Sequence, residues 1–163
     1  MNTNTIIARA LVLFGLMGSV SPAYSQETPP DSAKARDIVA VVEKAAALVN
    51  TKGRAAFAEF RKIGSEWRHG DLYLFANDMK GVQLLNAGFP EREGIDGSKF
   101  KDTTGKLIWP DFMKAVRSTK GAGWVSYSFP KPGQTEPSKK WSYLKAVSVD
   151  GTPALIGAGF YQE

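Results

Sequence analysis

The 163-residue sequence has no cysteine and a single histidine, His69. Without thiols there is no disulfide, no thiolate metal site and no c-type haem attachment, so stability has to come from an ordinary hydrophobic core. The lone imidazole, between Arg68 and Gly70, has no H-E-x-x-H or G-x-S-x-G partner anywhere in the chain and reads as an exposed residue at a strand entry. Runs of one charge are missing too. The 21 basic and 16 acidic residues are interspersed and no five basic residues adjoin, which describes a solvated surface and excludes a nucleic-acid stripe. No phosphate-cradling P-loop exists, because Phe100 stands where Gly105-Lys106 would need its leading glycine. Gly121-Ala122-Gly123 leads into a strand and Gly157-Ala158-Gly159 has no helix after it, so both read as turn or close-packing glycines. Asp96, Asp102 and Asp111 lie among Lys99, Lys101 and Lys106 without EF-hand spacing; they read as solvated charge, and neither a metal nor a cofactor is expected.

What is present begins with a secretory pattern. Arg9 gives a positive start, Ala10 to Val20 an eleven-residue apolar core and Ala23-Tyr24-Ser25 a small-x-small cleavage site. The run is well short of the roughly 20 residues of a membrane span; the competing reading, a retained anchor, has to include Thr5 to Ala8. Cleavage removes one Arg and no acid, leaving a mildly basic domain of 138 residues, long enough to fold without staples. The expected organisation is a signal peptide over 1–25, a polar, proline-rich linker over 26–35 and one domain over 36–163. The location that follows is periplasmic or secreted, from a bacterium of the Gram-negative type, with no transmembrane helix after cleavage.

Asp31 or Ser32 can cap a helix in which Ile38, Val42, Ala45 and Val49 recur on one face. A second helical segment from Arg54 to about Arg61 places Phe57 and Phe60 together. After Gly64 the runs 71–78 and 81–88 alternate as strands joined at Asp78-Met79-Lys80-Gly81. Residues 89–107 hold neither period and form a long ordered loop, of a length that in compact domains serves function. Trp109-Pro110 opens a short helix ending at Gly121. Three antiparallel strands then follow, WVSYSF, KKWSYLKAVSV and PALIGAGFY, the last two joined at Asp150-Gly151. Five strands and a helical layer make an α+β domain.

Strand alternation groups Val125, Tyr127 and Phe129 against Trp124, Ser126 and Ser128, and Lys140, Ser142, Leu144 and Ala146 against Trp141, Tyr143, Lys145 and Val147. Each strand carries aromatic and polar groups together, the lining expected of an apolar pocket with a few polar anchors. Lys140 and phenolic donors suit a small anion; the alternative is that Tyr127 and Tyr143 are amphipathic packing residues.

At this point the sequence resembles a known family. GDLYLFANDMKG, the loop leading to KDTTGK, GAGWVSYSFPKP, KKWSYLKAV and IGAGFY, in that order, look like the single Cache domain of the type 2 kind, found in extracytoplasmic bacterial sensors. The most specific parts are Gly121 to Pro132, Lys140 to Tyr143 and Gly157 to Tyr161. The resemblance implies a PAS-like fold: a long N-terminal helix packed on a five-stranded antiparallel sheet, with a loop and short helix closing a pocket over the other face. It also implies binding of short-chain carboxylates and sensing or chemotaxis through a membrane receptor, kinase or transporter, without catalysis. Position by position, it marks Tyr73, Phe75, Tyr127, Lys140 and Tyr143 as pocket residues, with Asn86, where many relatives have a His, as a weaker polar contact and Trp109 in the lid. Lys140 and Tyr143 are three apart and face opposite sides of a regular strand, so either a bulge intervenes or one of them is structural. Relatives in receptors continue into a membrane helix, whereas this chain ends two residues after Tyr161, so the expectation is a free periplasmic protein that captures a small organic acid and presents itself to a membrane partner. A competing class keeps the fold with an empty pocket and docks through exposed aromatics such as Trp141. A hydrolase built on His69 has the least support.

Overall fold

The computed structural model describes residues 28–30 and 33–162. The expected signal segment and the two candidate caps, Asp31 and Ser32, lie outside the described residues. Helix α1 (Ala33–Lys52) starts inside the segment read as linker. Ile38, Val42, Ala45, Ala46 and Val49 follow one another at spacings of three, four or one, so they form a single stripe, and each is at most 3% exposed. Small Ala45 and Ala46 let the helix axis approach the sheet, and each buried Val or Ile contributes about 1.5–3 kcal/mol. A short 3-10 turn (Gly53–Ala56) leads into α2 (Phe57–Phe60), only four residues long. Phe57 and Phe60 face inward, and the Phe60 ring meets Trp67 at 5.0 Å between centroids.

Strands β1 (Arg68–His69) and β2 (Leu72–Tyr73) make a two-stranded ribbon, whereas the sequence reading takes β2 as the start of a single strand over 71–78. The run 71–78 is divided because its first half pairs back onto Arg68 and His69, while β3 (Phe75–Asp78) enters the main sheet beside β4 (Gln83–Asn86). Asp78 closes that hairpin by accepting hydrogen bonds from the Lys80 and Val82 amides, both at 2.9 Å. After the loop come α3 (Trp109–Val116), β5 (Ala122–Pro130), β6 (Pro137–Val149) and β7 (Thr152–Tyr161). Asp150 and Gly151 both have positive φ, 51° and 81°, between paired Val149 and Thr152, the geometry of a two-residue hairpin whose twist matches its strands.

The five strands run antiparallel in the order β4-β3-β7-β6-β5, which brings the last strand to the centre. Both faces are covered. Helix α1 lies across β6 and β7 on one side, burying Val147, Val149, Ala154, Ile156 and Ala158. On the other side α3 and the loop after β4 cover Phe75, Val125, Tyr127, Phe129, Leu144 and Leu155. That is the physical reason no face of these strands reads as cleanly polar: neither one faces water.

Candidate functional site

Between the sheet and the loop after β4 lies a cavity of about 500 Å³. Its floor is the face of β3 and β5 that carries Phe75, Asn77, Tyr127 and Phe129; α3 supplies Trp109 and Phe112, and the loop supplies Arg92 and Phe100. The loop is an anchored lid. Its first turn is held by Asn86, whose Oδ1 accepts from the Phe89 amide at 2.9 Å and whose Nδ2 donates to Gln83 Oε1 at 3.0 Å. Glu93 accepts from the Asn86 amide at 2.9 Å and pairs with Arg61 at 2.7 Å. Further along, Gln83 exchanges backbone bonds with Gly94 and Ile95. Asp102, expected to be solvated, is only 8% exposed; it accepts from Thr104 N, Thr104 Oγ1 and Lys106 N and, across to β5, from Ser128 N at 3.0 Å. Burial pushes its carboxyl up, but these hydrogen bonds to the ionised form win and hold it down at about 2.

Five of the seven residues singled out from the sequence, Tyr73, Phe75, Asn86, Trp109 and Tyr127, line this one cavity. Lys140 stands a layer below. It shares the lid face because β6 pairs without a bulge against both neighbours, placing Lys140 opposite Tyr127 and Tyr161. Its ammonium is buried at 1% exposure and donates to the Tyr73 hydroxyl at 2.6 Å, within 3.9 to 5.5 Å of the ring centres of Tyr73, Phe75, Phe129 and Tyr161. Gly159 makes room for it, since a Cβ there would lie 3.0 Å from Lys140 Cε and 2.3 Å from the Trp141 carbonyl oxygen. Tyr143 is on the opposite face. Its hydroxyl donates to Glu43 of α1 at 3.3 Å and its ring packs on Trp124, so strand parity settles the alternative left open by the three-residue spacing. Trp141 is not an exposed docking residue: it is 6% exposed, with Lys139 over its ring and Gln162 Oε1 at 3.4 Å from Nε1.

A polar column backs the aromatic floor. Lys140 donates to Tyr73, and Tyr161, whose ring also lies beside the Lys140 ammonium, donates to the Pro130 carbonyl at 2.5 Å. The Tyr127 hydroxyl pairs with Ser142 Oγ at 3.0 Å. Burial drives the Lys140 ammonium well below the ordinary lysine range, opposed by the charge of Asp71, which is itself paired with Lys131 at 3.2 Å. Burial likewise raises Tyr73 and Tyr127, and lifts Tyr161 to about 12. The Arg92 charge counteracts the rise at both Tyr73 and Tyr127, so that one guanidinium acts on both phenols. Arg92 itself sits over the Phe100 and Phe129 rings at 4.9 and 5.0 Å and has no carboxylate partner among the described residues. Sequence reasoning missed Arg92 because a charged residue in an aperiodic loop carries no signal of direction. Phe129 was legible, as it shares the parity of Tyr127.

The family model for the Cache domain matches residues 55–163. The methyl-accepting chemotaxis protein McpP of Pseudomonas putida is 26% identical over 157 residues, covering 96% of this chain; the chain spans 28% of that curated relative's length. Among solved structures, a periplasmic sensor domain of a chemotaxis protein matches with TM-score 0.65 and 27% identity, covering 80% of this chain and 95% of the other. A Cache chemosensory domain solved to explain its carboxylic acid recognition matches with TM-score 0.67 and 28% identity over the same shares. Cache domains are extracytoplasmic sensor domains, and among the described residues no helix is long and apolar enough to cross a membrane. By the extent of its match to the family model, by its helix-backed five-stranded sheet and by the lidded cavity on the other face, the chain belongs to the Cache domain family.

Proposed function

We propose that this Cache domain is a periplasmic sensor that captures a short-chain organic carboxylate under its lid. Arg92 carries the reading: a half-buried guanidinium lines a cavity with aromatic walls, acts on the Tyr73 and Tyr127 hydroxyls, and has no carboxylate partner among the described residues. A ligand carboxylate supplies the missing partner, and Arg's planar fork can hold both of its oxygens. Lys140, one layer behind Tyr73, adds positive potential in its protonated form without touching the ligand. The aromatic walls exclude water, which strengthens each of these interactions. The similarity to a domain that recognises carboxylic acid supports the same class of ligand.

Signalling then works by population shift. A ligand that touches Arg92 and Phe100 on the lid and Tyr127 on the sheet binds only the closed arrangement and raises its population, and a membrane receptor, kinase or transporter reads the closed lid. The test is thermal unfolding against acetate, propionate, pyruvate, lactate and dicarboxylates, for the wild type and Arg92→Leu. At about 100 times Kd, a single-site ligand stabilises by about 2.7 kcal/mol. A carboxylate-selective shift that is lost in Arg92→Leu supports the proposal; a flat panel overturns it.

A further inference from the structure

The cavity is far larger than the acid group that Arg92 can hold. A three-carbon acid takes the room of about three waters, on the order of 90 Å³. The cavity measures about 500 Å³, within the range of roughly 300–1,000 Å³ that encloses drug-sized ligands. Its charged lining residues besides Arg92, namely Glu91, Asp96 and Lys99, are exposed loop residues at the mouth and carry both signs. The inner wall is apolar: Phe75, Ile108, Phe112, Tyr127 and Phe129 line it and are buried apart from 4 to 8% of their surface.

Polar atoms on that wall are turned into the protein. The Tyr73 hydroxyl accepts from Lys140 at 2.6 Å, the Tyr127 hydroxyl pairs with Ser142 Oγ at 3.0 Å, and Asn86 is bonded through both ends of its amide. Asn77 Nδ2 donates to the Gly81 carbonyl at 3.1 Å, and its Oδ1 is buried behind the wall. A ligand body that enters therefore meets chiefly rings. Those rings are continuous: Arg92 lies over Phe129 at 5.0 Å, and the centroid steps from Phe129 to Tyr127, Phe112 and Phe75 are 6.0, 5.5 and 5.8 Å. Each step is in the range of favourable aromatic pairs. A two- or three-carbon acid leaves this wall wet, whereas a ring carried on the acid's chain covers it, releases water from apolar surface and joins the run.

We infer that the ligand is an arylalkanoic acid, a short-chain carboxylate that ends in an aromatic ring, with its carboxylate at Arg92 and its ring against Phe112 and Tyr127. The inference rests on the carboxylate reading above and narrows it.

Calorimetric titration of the full chain tests it with two matched pairs, acetate with phenylacetate and propionate with 3-phenylpropionate, and with 2-phenylethanol as the ring without the acid. In at least one pair the aryl acid binds at least about tenfold tighter than its parent, the worth of burying a ring's apolar area, and 2-phenylethanol binds at least about tenfold more weakly than phenylacetate. In Phe112→Leu the aryl-to-parent ratio falls by about two- to tenfold, the part that ring pairing adds to plain burial. The ratio is taken within one protein, so general weakening of the fold cancels; if the variant does not fold, the wild-type ratios decide alone. A ratio unchanged in folded Phe112→Leu overturns the placement of the ring and with it the inference. Parent acids that bind as tightly as their aryl partners in both pairs overturn it while leaving the carboxylate reading in place. Binding of 2-phenylethanol as tight as that of phenylacetate, or binding by no acid at all, overturns both.

Discussion

Replacing Lys140 by methionine should stabilise the unliganded protein, and by an amount that depends on pH. The ammonium is 1% exposed and has no carboxylate within ion-pair distance among the described residues; its stem lies between aromatic rings that methionine can fill. Removing a poorly compensated buried charge in favour of an apolar side chain of similar volume typically gains about 1–4 kcal/mol. Against this stand the lost bond to Tyr73, about 1 kcal/mol, and the cation–π contacts, about 0.5–1 kcal/mol. These terms leave a balance centred on a gain of about 1 kcal/mol at neutral pH, which for a domain of this size is a rise in Tm of about 3 °C. The sign with pH follows from the lowered pKa. Between the depressed native value and the ordinary 10.5 the unfolded chain binds more protons than the native one, so wild-type stability rises with pH through that window. The advantage of Lys140→Met is therefore largest at low pH and fades as pH approaches 10.5. Urea unfolding of both proteins from pH 6 to 10.5 measures it. Two parallel stability curves, or a difference that grows with pH, would refute the account of Lys140 as a charge confined by burial.

Three other outcomes are expected. Ligand binding should be accompanied by proton uptake on the acid side of lysine's ordinary range, because a carboxylate near Tyr73 favours the charged form of Lys140; calorimetry in buffers of different ionisation enthalpy detects it, and equal apparent enthalpies in all buffers would contradict it. Asp102→Asn should cost about 1.5–3 kcal/mol at pH 7 by weakening the charge-assisted bonds that tie the lid to β5. Because the Asp102 carboxyl is depressed to about 2 from 3.8, its contribution is complete above the unfolded value and lost as pH falls through that interval, so acid-unfolding curves of variant and wild type should converge below about pH 2. Gly159→Ala should destabilise by about 3 kcal/mol, since its Cβ would sit 2.3 Å from the Trp141 carbonyl oxygen and 2.6 Å from Ser142 Oγ and the central strands would have to part; a melting temperature within 2 °C of wild type would contradict that packing.

The elements of this fold were legible because they are local. Helical spacing of Ile38, Val42 and Val49, the Asp150-Gly151 turn and the alternation of β5 and β6 each follow from a few neighbouring residues. The five candidate pocket residues that line the cavity could be named before any geometry from the family resemblance, four of them along strands whose parity is fixed by the chain itself and Trp109 as part of the lid. The division of 71–78 into two strands was not legible, since nothing within the run shows that its first half pairs back onto Arg68 and His69.

What the sequence by itself determined is the order of elements, their apolar stripes, the turn chemistry and the likeness to the Cache family; these depend on interactions a few residues apart. Only the tertiary structure decided which way each mixed face looks. It put Tyr143 against Glu43, a hundred residues away, and Lys140 under Tyr73, sixty-seven residues away. It also brought Arg92 of the loop into the same cavity as Tyr127 of β5. Long-range pairing sets such contacts, and two strands with the same alternation can be packed against either a helix or a lid; the order β4-β3-β7-β6-β5 and the covering of both faces select one of the two.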